Sequence, residues 1–211
     1  MVLLVASCNN KVVRDAVTPT DVSILKYHTK TYFESLEEFT VRLYAKNPKY
    51  EKDPAKREKK IQQIFHRKGP TEWEYVHKPS HKILTAAFAR ETQFRDRVYL
   101  LSLGMAKSIR EAYGITEEGL FLSGLQIPLK RLERLHHNLS QVNWRLKTYK
   151  DDQGKLLFVT NEAGKNGYIN MGYEVIMTQI LTRIEDDIHL RGGLPSRAAF
   201  KATTFFLSLL L

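Results

Sequence analysis

FRDRVYLLSLGMAKSIREAYG, residues 94–114, is the stretch that decides the fold class. Phe94, Val98, Leu101, Met105, Ile109 and Ala112 recur at steps of three and four. On a helix with about 3.6 residues per turn, that spacing gathers them on one face. Gly114 follows Tyr113 at the point where a helix end favours a left-handed residue. The segment predicts an amphipathic helix that packs against others.

The same period recurs in both directions. Upstream, Tyr32, Phe33, Leu36, Phe39, Thr40, Leu43 and Tyr44 keep it until Asn47-Pro48 stops the helix. Asp53-Pro54 has the form of an N-cap followed by proline at the first helical position, and Ile61, Ile64 and Phe65 follow on one side. Gly69-Pro70 breaks that helix, and Trp73 and Tyr75 fall in the connection. Ser80 is placed to cap a short helix bearing Ile83, Leu84, Ala87 and Phe88.

Downstream, a loop with Gly119 and Gly124 leads to Pro128, which opens a helix carrying Leu132, Leu135, Leu139, Val142 and Leu146. Lys130, Arg131, Glu133, Arg134 and Arg145 are expected on its outer side. Residues 151–167 read as an irregular or hairpin segment around Leu156, between two glycine turns. Tyr173, Ile176, Ile180, Ile184 and Ile188 mark a further helix ending at Arg191-Gly192-Gly193. A last helix runs from Pro195-Ser196 into FFLSLLL, too short an apolar run to span the roughly 20 residues a bilayer needs. The prediction is an all-α, helical-bundle-like single domain of about six helices.

A chain of 211 residues can bury a core without disulfides or metals. Cys8 is the only cysteine, so no internal disulfide and no cysteine-rich metal site can form. That thiol sits at the end of MVLLVASC, an apolar run closing in small residues. Val5-Ala6-Ser7-Cys8 resembles the lipobox of bacterial lipoproteins, in which the cysteine is acylated and becomes the new amino terminus. FRDRVYLLSLGMAKSIREAYG and VRLYAKNP, residues 41–48, are similar to segments of a family of proteobacterial envelope lipoproteins with helical bodies.

The resemblance implies location and fold class, and it brings no activity, cofactor or catalytic residue. Residues 1–7 are then the remnant of a signal peptide whose basic and apolar beginning lies upstream. Residues 8–21 are the lipidated cysteine and a polar tether, and residues 22–211 the helical domain. Asn9, rather than aspartate, follows the cysteine, which by the sorting rule of enteric lipoproteins implies the outer membrane, facing the periplasm.

The net charge of +10 is concentrated. Residues 42–68 hold ten Lys/Arg against the three acids Glu51, Asp53 and Glu58, an excess of seven. Lys49, Lys52, Lys56, Arg57, Lys59, Lys60, Arg67 and Lys68 are the candidate contacts to an anionic surface. In the envelope that means anionic lipid or another envelope component. The alternative is a cytoplasmic nucleic-acid binder using the same stretch, with Tyr44, Tyr50, Phe65 and Trp73 as stacking partners. A lipid anchor weighs against nucleic acid.

Chemistry-bearing patterns are sparse, and an envelope enzyme with an unrecognised site is the second alternative. His77 and His81 are separated by Pro79, and His136 and His137 point to different sides of their helix. The runs Glu37-Glu38, Glu117-Glu118 and Glu185-Asp186-Asp187 read as solvated helix surface or first-turn charges. The sequence holds no GxSxG elbow, P-loop or HExxH pattern, and it calls for no cofactor.

Overall fold

A computed structural model of the chain describes residues 20–66, 75, 77–90, 96–116, 119–120, 127–161 and 171–192. Among them the fold is all-helical, as the periodicity predicts. In chain order the helices are α1 (Thr20–Lys46), α2 (Pro54–Phe65), α3 (Ser80–Phe88), α4 (Arg97–Tyr113), α5 (Leu129–Thr148) and α6 (Gly172–Leu190). A two-residue ladder joins β1 (Ile115–Thr116) to β2 (Gly119–Leu120) in antiparallel register. The lipobox with Cys8, Trp73, Phe94 and the apolar carboxy terminus lie outside the described residues.

The helix that fixed the fold class is the centre of the molecule. Fourteen of the seventeen residues of α4 are buried, so it is wrapped on nearly every side. A stripe of apolar residues sees only one of those sides. The others bury Tyr99, Leu100 and Leu103 along with small or polar groups: Thr40 Oγ1 of α1 hydrogen-bonds Ser102 Oγ at 2.8 Å, and Gly104 lies against Leu84 of α3. A Cβ on Gly104 would meet Leu84 Cδ2 at 2.7 Å and the Leu84 backbone nitrogen at 3.2 Å. The absence of a side chain there sets how closely α3 approaches.

Helix ends follow their caps. Asp53 Oδ1 accepts from Ala55 N at 2.9 Å ahead of Pro54, and Asp96 Oδ1 accepts from Tyr99 N at 3.0 Å. Gly114 ends α4 at φ 64°, the left-handed region that its place after Tyr113 predicts. Asn47 ends α1 and does more. It is buried, its Nδ2 donates to Leu43 O and Val159 O, and its Oδ1 accepts from Val159 N, so one amide pins the residues after α5 to the end of α1.

Three expectations change. Ser80 is not the N-cap of α3; Pro79 is, and the Ser80 hydroxyl donates to Glu111 of α4 instead. Glu117-Glu118, read as helix-surface or first-turn charges, do not follow a helix start at Thr116, which pairs with Gly119. And α1 begins at Thr20, two residues inside the segment read as tether and twelve before Tyr32, the first residue of the periodic run.

Side-chain pairings fix the direction of each helix. Thr40–Ser102 and Tyr32–Tyr113 run α4 antiparallel to α1. Phe39–Tyr173 and His28–Asp187 do the same for α6. Lys147–Glu174 and His136–Glu185 run α5 antiparallel to α6, and therefore parallel to α1. Ser80–Glu111, with the Arg97 guanidinium on Ala87 O, sets α3 antiparallel to α4. The starts of α1, α3 and α5 consequently share one end of the bundle with the ends of α4 and α6. The start of α2 lies at the other.

Candidate functional site

The basic stretch divides on folding. Lys49, Lys52, Lys56 and Lys59 are exposed, at the end of the bundle where α1 gives way to α2. Lys56 and Lys59 lie three apart on α2, turned about 140° from the buried pair Ile61 and Ile64. Arg57 and Lys60 are committed inward. The Arg57 Nε donates to Glu51 O at 2.6 Å. Lys60 Nζ bonds Asp96 Oδ2 at 2.7 Å and Glu51 Oε2 at 2.9 Å. Lys60 is therefore a structural cation rather than a surface contact. Arg67 and Lys68 lie outside the described residues.

Burial alone would pull the Lys60 ammonium down, but its bonds to Asp96 and Glu51 outweigh that and hold its pKa above the ordinary lysine value. The hydrogen bond from Lys60 draws Glu51 down in turn. Tyr44 also donates to Asp96, at 2.9 Å. Asp96 thus caps α4, anchors α2 through Lys60 and anchors α1 through Tyr44.

A second polar knot lies at the opposite end of α1. Asp187, read from sequence as solvated, is buried, with 1 % of its surface exposed. Its carboxylate accepts from Tyr113, the Tyr32 hydroxyl lies between the two, 3.0 Å from the Tyr113 hydroxyl and 3.3 Å from Asp187 Oδ2, and the carboxylate meets His28 Nδ1 at 3.0 Å. A carboxylate can be buried only with such partners. Burial, then the neighbouring negative charge, pushes both tyrosine hydroxyls above their ordinary pKa. The rest of that acidic run stays nearer solvent: Asp186 is exposed, and Glu185 reaches His136 Nε2 at 3.0 Å. Burial lowers the pKa of His136, and Glu185 opposes that.

Arg145, expected outside, is half-buried against rings, its guanidinium 5.3 Å from the centre of Tyr149 and 5.7 Å from that of Phe88. His77 and His81 are both exposed on either side of Pro79, and His136 and His137 diverge as their adjacency requires. Among the described residues no group of three or more His, Cys, Asp or Glu is arranged to hold a metal.

A cleft of about 600 Å³ lies where the starts of α3 and α5 flank the end of α4. Its floor includes Ser108 and Glu111, its α3 side Ser80 and His81, and its α5 side Arg131, Arg134 and Asn138. Glu111 accepts from the Ser80 backbone N at 3.1 Å and from the Ser80 hydroxyl, so it caps α3 from another helix. A shallower depression shares His81 and Asn138 and carries the groove along α3 and α5 toward Arg145. The cleft is open and mixed in its lining, with two arginines on one wall, which suits binding of an oxyanion. Sequence reading found Arg131 and Arg134 as outward charges but missed what faces them, because Ser80, Ser108 and Glu111 come from other helices. The legible signal was the pair's three-residue spacing on the polar face of α5.

Comparison with known proteins assigns no relative: no protein-family model, no curated protein and no solved structure matches this chain.

Proposed function

We propose that the protein is a lipid-anchored module of the bacterial cell envelope, held through Cys8, whose helical body acts by contact. The observation that carries this reading is Val5-Ala6-Ser7-Cys8: the chain's single cysteine falls at the one position a lipobox requires. No helix among the described residues is long and apolar enough to cross a membrane.

The fold sets the distance between the start of α1 and the exposed lysines. Helix α1 has 27 residues and is about 40 Å long, with the exposed Lys49, Lys52, Lys56 and Lys59 beyond its far end from Cys8. Electrostatic attraction to a bilayer fades within a Debye length of roughly 8–10 Å. With α1 upright these lysines are out of range of the anchoring leaflet and available to an anionic component deeper in the periplasm. With α1 lying along the membrane they reach the lipid.

Metabolic labelling with a fatty acid, followed by fractionation, tests the reading. Wild type expressed from its own locus takes up label and sediments with membranes, while Cys8→Ser loses the label and becomes soluble. A wild-type protein that stays unlabelled and soluble overturns it. Salt-sensitive binding of DNA or RNA by that soluble protein would put the nucleic-acid reading in its place.

A further inference from the structure

We propose that the cleft between α3, α4 and α5 is a binding site for a phosphate group, held by Arg131 and Arg134 from one wall and by the Ser108 hydroxyl from the floor. Three observations meet there. Arg131 and Arg134 both line the cleft, are exposed and, three residues apart on one helix, face the same way. Neither guanidinium makes a hydrogen bond or ion pair with a described residue. Arg42, Arg97, Arg110 and Arg191, by contrast, are each bonded to a carboxylate or a backbone carbonyl.

The second observation is Ser108. It is 4 % exposed, it lines the cleft, and its buried Oγ has no hydrogen-bond partner. A helical hydroxyl without other work turns back to the carbonyl four residues earlier. Thr29, Thr31, Thr40, Thr85 and Thr148 all do so in this protein. Ser108 does not, and a buried hydroxyl left unsatisfied is destabilising unless something completes it.

The third is the state of Glu111. Both of its oxygens are engaged by Ser80 at the start of α3, so its hydrogen bonds go to that helix cap and not to the arginines. Two guanidinium forks and one hydroxyl suit a tetrahedral group with three free oxygens better than a planar carboxylate, which a single arginine would satisfy. At about 600 Å³ the cleft matches a small ligand or one lipid headgroup rather than a polymer.

The same chemistry has two sources, a soluble phosphate ester and a phospholipid headgroup. The cleft lies at the end of the bundle where α1 begins, the side from which the chain leads back to Cys8. The site stands whether or not Cys8 is acylated; only the lipid source rests on the anchored reading.

The test uses the full chain carrying Cys8→Ser, titrated by calorimetry with glycerol 3-phosphate and, separately, sedimented with phosphatidylglycerol vesicles. The comparison variants are Arg131→Gln/Arg134→Gln, Ser108→Ala, and Lys150→Gln/Lys155→Gln, which removes equal charge from exposed positions with no binding role. The expected result is binding to at least one probe, weakened roughly tenfold or more in the double arginine variant and several-fold in Ser108→Ala. The lysine variant should bind like the parent. Binding of glycerol 3-phosphate assigns a soluble ester, and binding of vesicles alone assigns a headgroup. No binding to either probe overturns the proposal, as does equal weakening by the lysine variant. Circular dichroism at 222 nm confirms that each variant is folded.

Discussion

Arg97 is buried without a carboxylate, and its replacement tests how the short helix α3 is held. Its guanidinium donates to Ala87 O at 3.0 Å, to Ala89 O at 2.6 Å and to Arg90 O at 3.1 Å. Helix α3 has nine residues and ends on Ala89 in an extended conformation, so it lacks a left-handed C-cap of its own. A helix this short is not stable by propensity alone. Arg97, from the start of α4, serves as that cap and places a cation where the helix dipole favours one.

In Arg97→Met the chain loses three charge-assisted hydrogen bonds, each worth about 1.5–3 kcal/mol. The Ala87 bond is buried and its carbonyl bears the full penalty, while the carbonyls of Ala89 and Arg90 are nearer solvent and recover part of theirs from water. The net loss is about 3 kcal/mol, which for a domain of this size lowers Tm by roughly 6–12 °C. Arg97→Lys should recover only a minority of that, since one ammonium cannot span three carbonyls. Urea denaturation followed at 222 nm measures the loss, and hydrogen exchange should show it concentrated in α3. An Arg97→Met variant within 1 kcal/mol of wild type would refute the capping argument.

Gly104→Ala should destabilise by about 1–2 kcal/mol even though alanine is the better helix former, because its Cβ meets Leu84. In a double-mutant cycle Leu84→Ala should relieve that clash, so the pair costs less than the sum of the singles. Alkali should unfold the protein cooperatively. Unfolded tyrosines ionise near pH 10, while burial keeps Tyr32, Tyr44, Tyr113 and Tyr50 neutral in the fold to higher pH, Tyr50 to about 12. Above pH 10 the unfolded state sheds these protons first, so stability falls as pH rises. Absorbance at 295 nm should show a titration step coincident with loss of ellipticity, and a smooth non-cooperative titration would contradict it. Replacing Lys49, Lys52, Lys56 and Lys59 together by Gln should leave Tm within a few degrees, since surface charges contribute little, but reduce retention on an anionic resin. A large drop in Tm would mean these lysines are structural.

The apolar half of this fold was legible because periodicity is a local property. Leu36, Leu101, Leu139 and Ile180 fall inside as their spacing demands, and Asp53-Pro54 and Gly114 mark helix ends by chemistry that acts within one turn. The polar half was not legible. Asp187 looks like its solvated neighbour Asp186 until Tyr32 and Tyr113 arrive from two other helices. Lys60 belongs by composition to the basic stretch, but Asp96 claims it across the chain. Arg97 and Arg131 are both arginines near a helix start, and only the neighbours tell the buried cap from the open cleft wall. Charged side chains are placed by partners distant in sequence, and no spacing rule reports those.

The account turns on Cys8, and the intact mass of the mature protein tests it most directly. Protein purified from its native membrane in detergent should begin at Cys8 and carry a thioether-linked diacylglyceryl group, and Cys8→Ser should be neither cleaved there nor lipidated. A mass that retains residues 1–7 with a free thiol on Cys8 would contradict the anchor, and with it the envelope function proposed for the helical body.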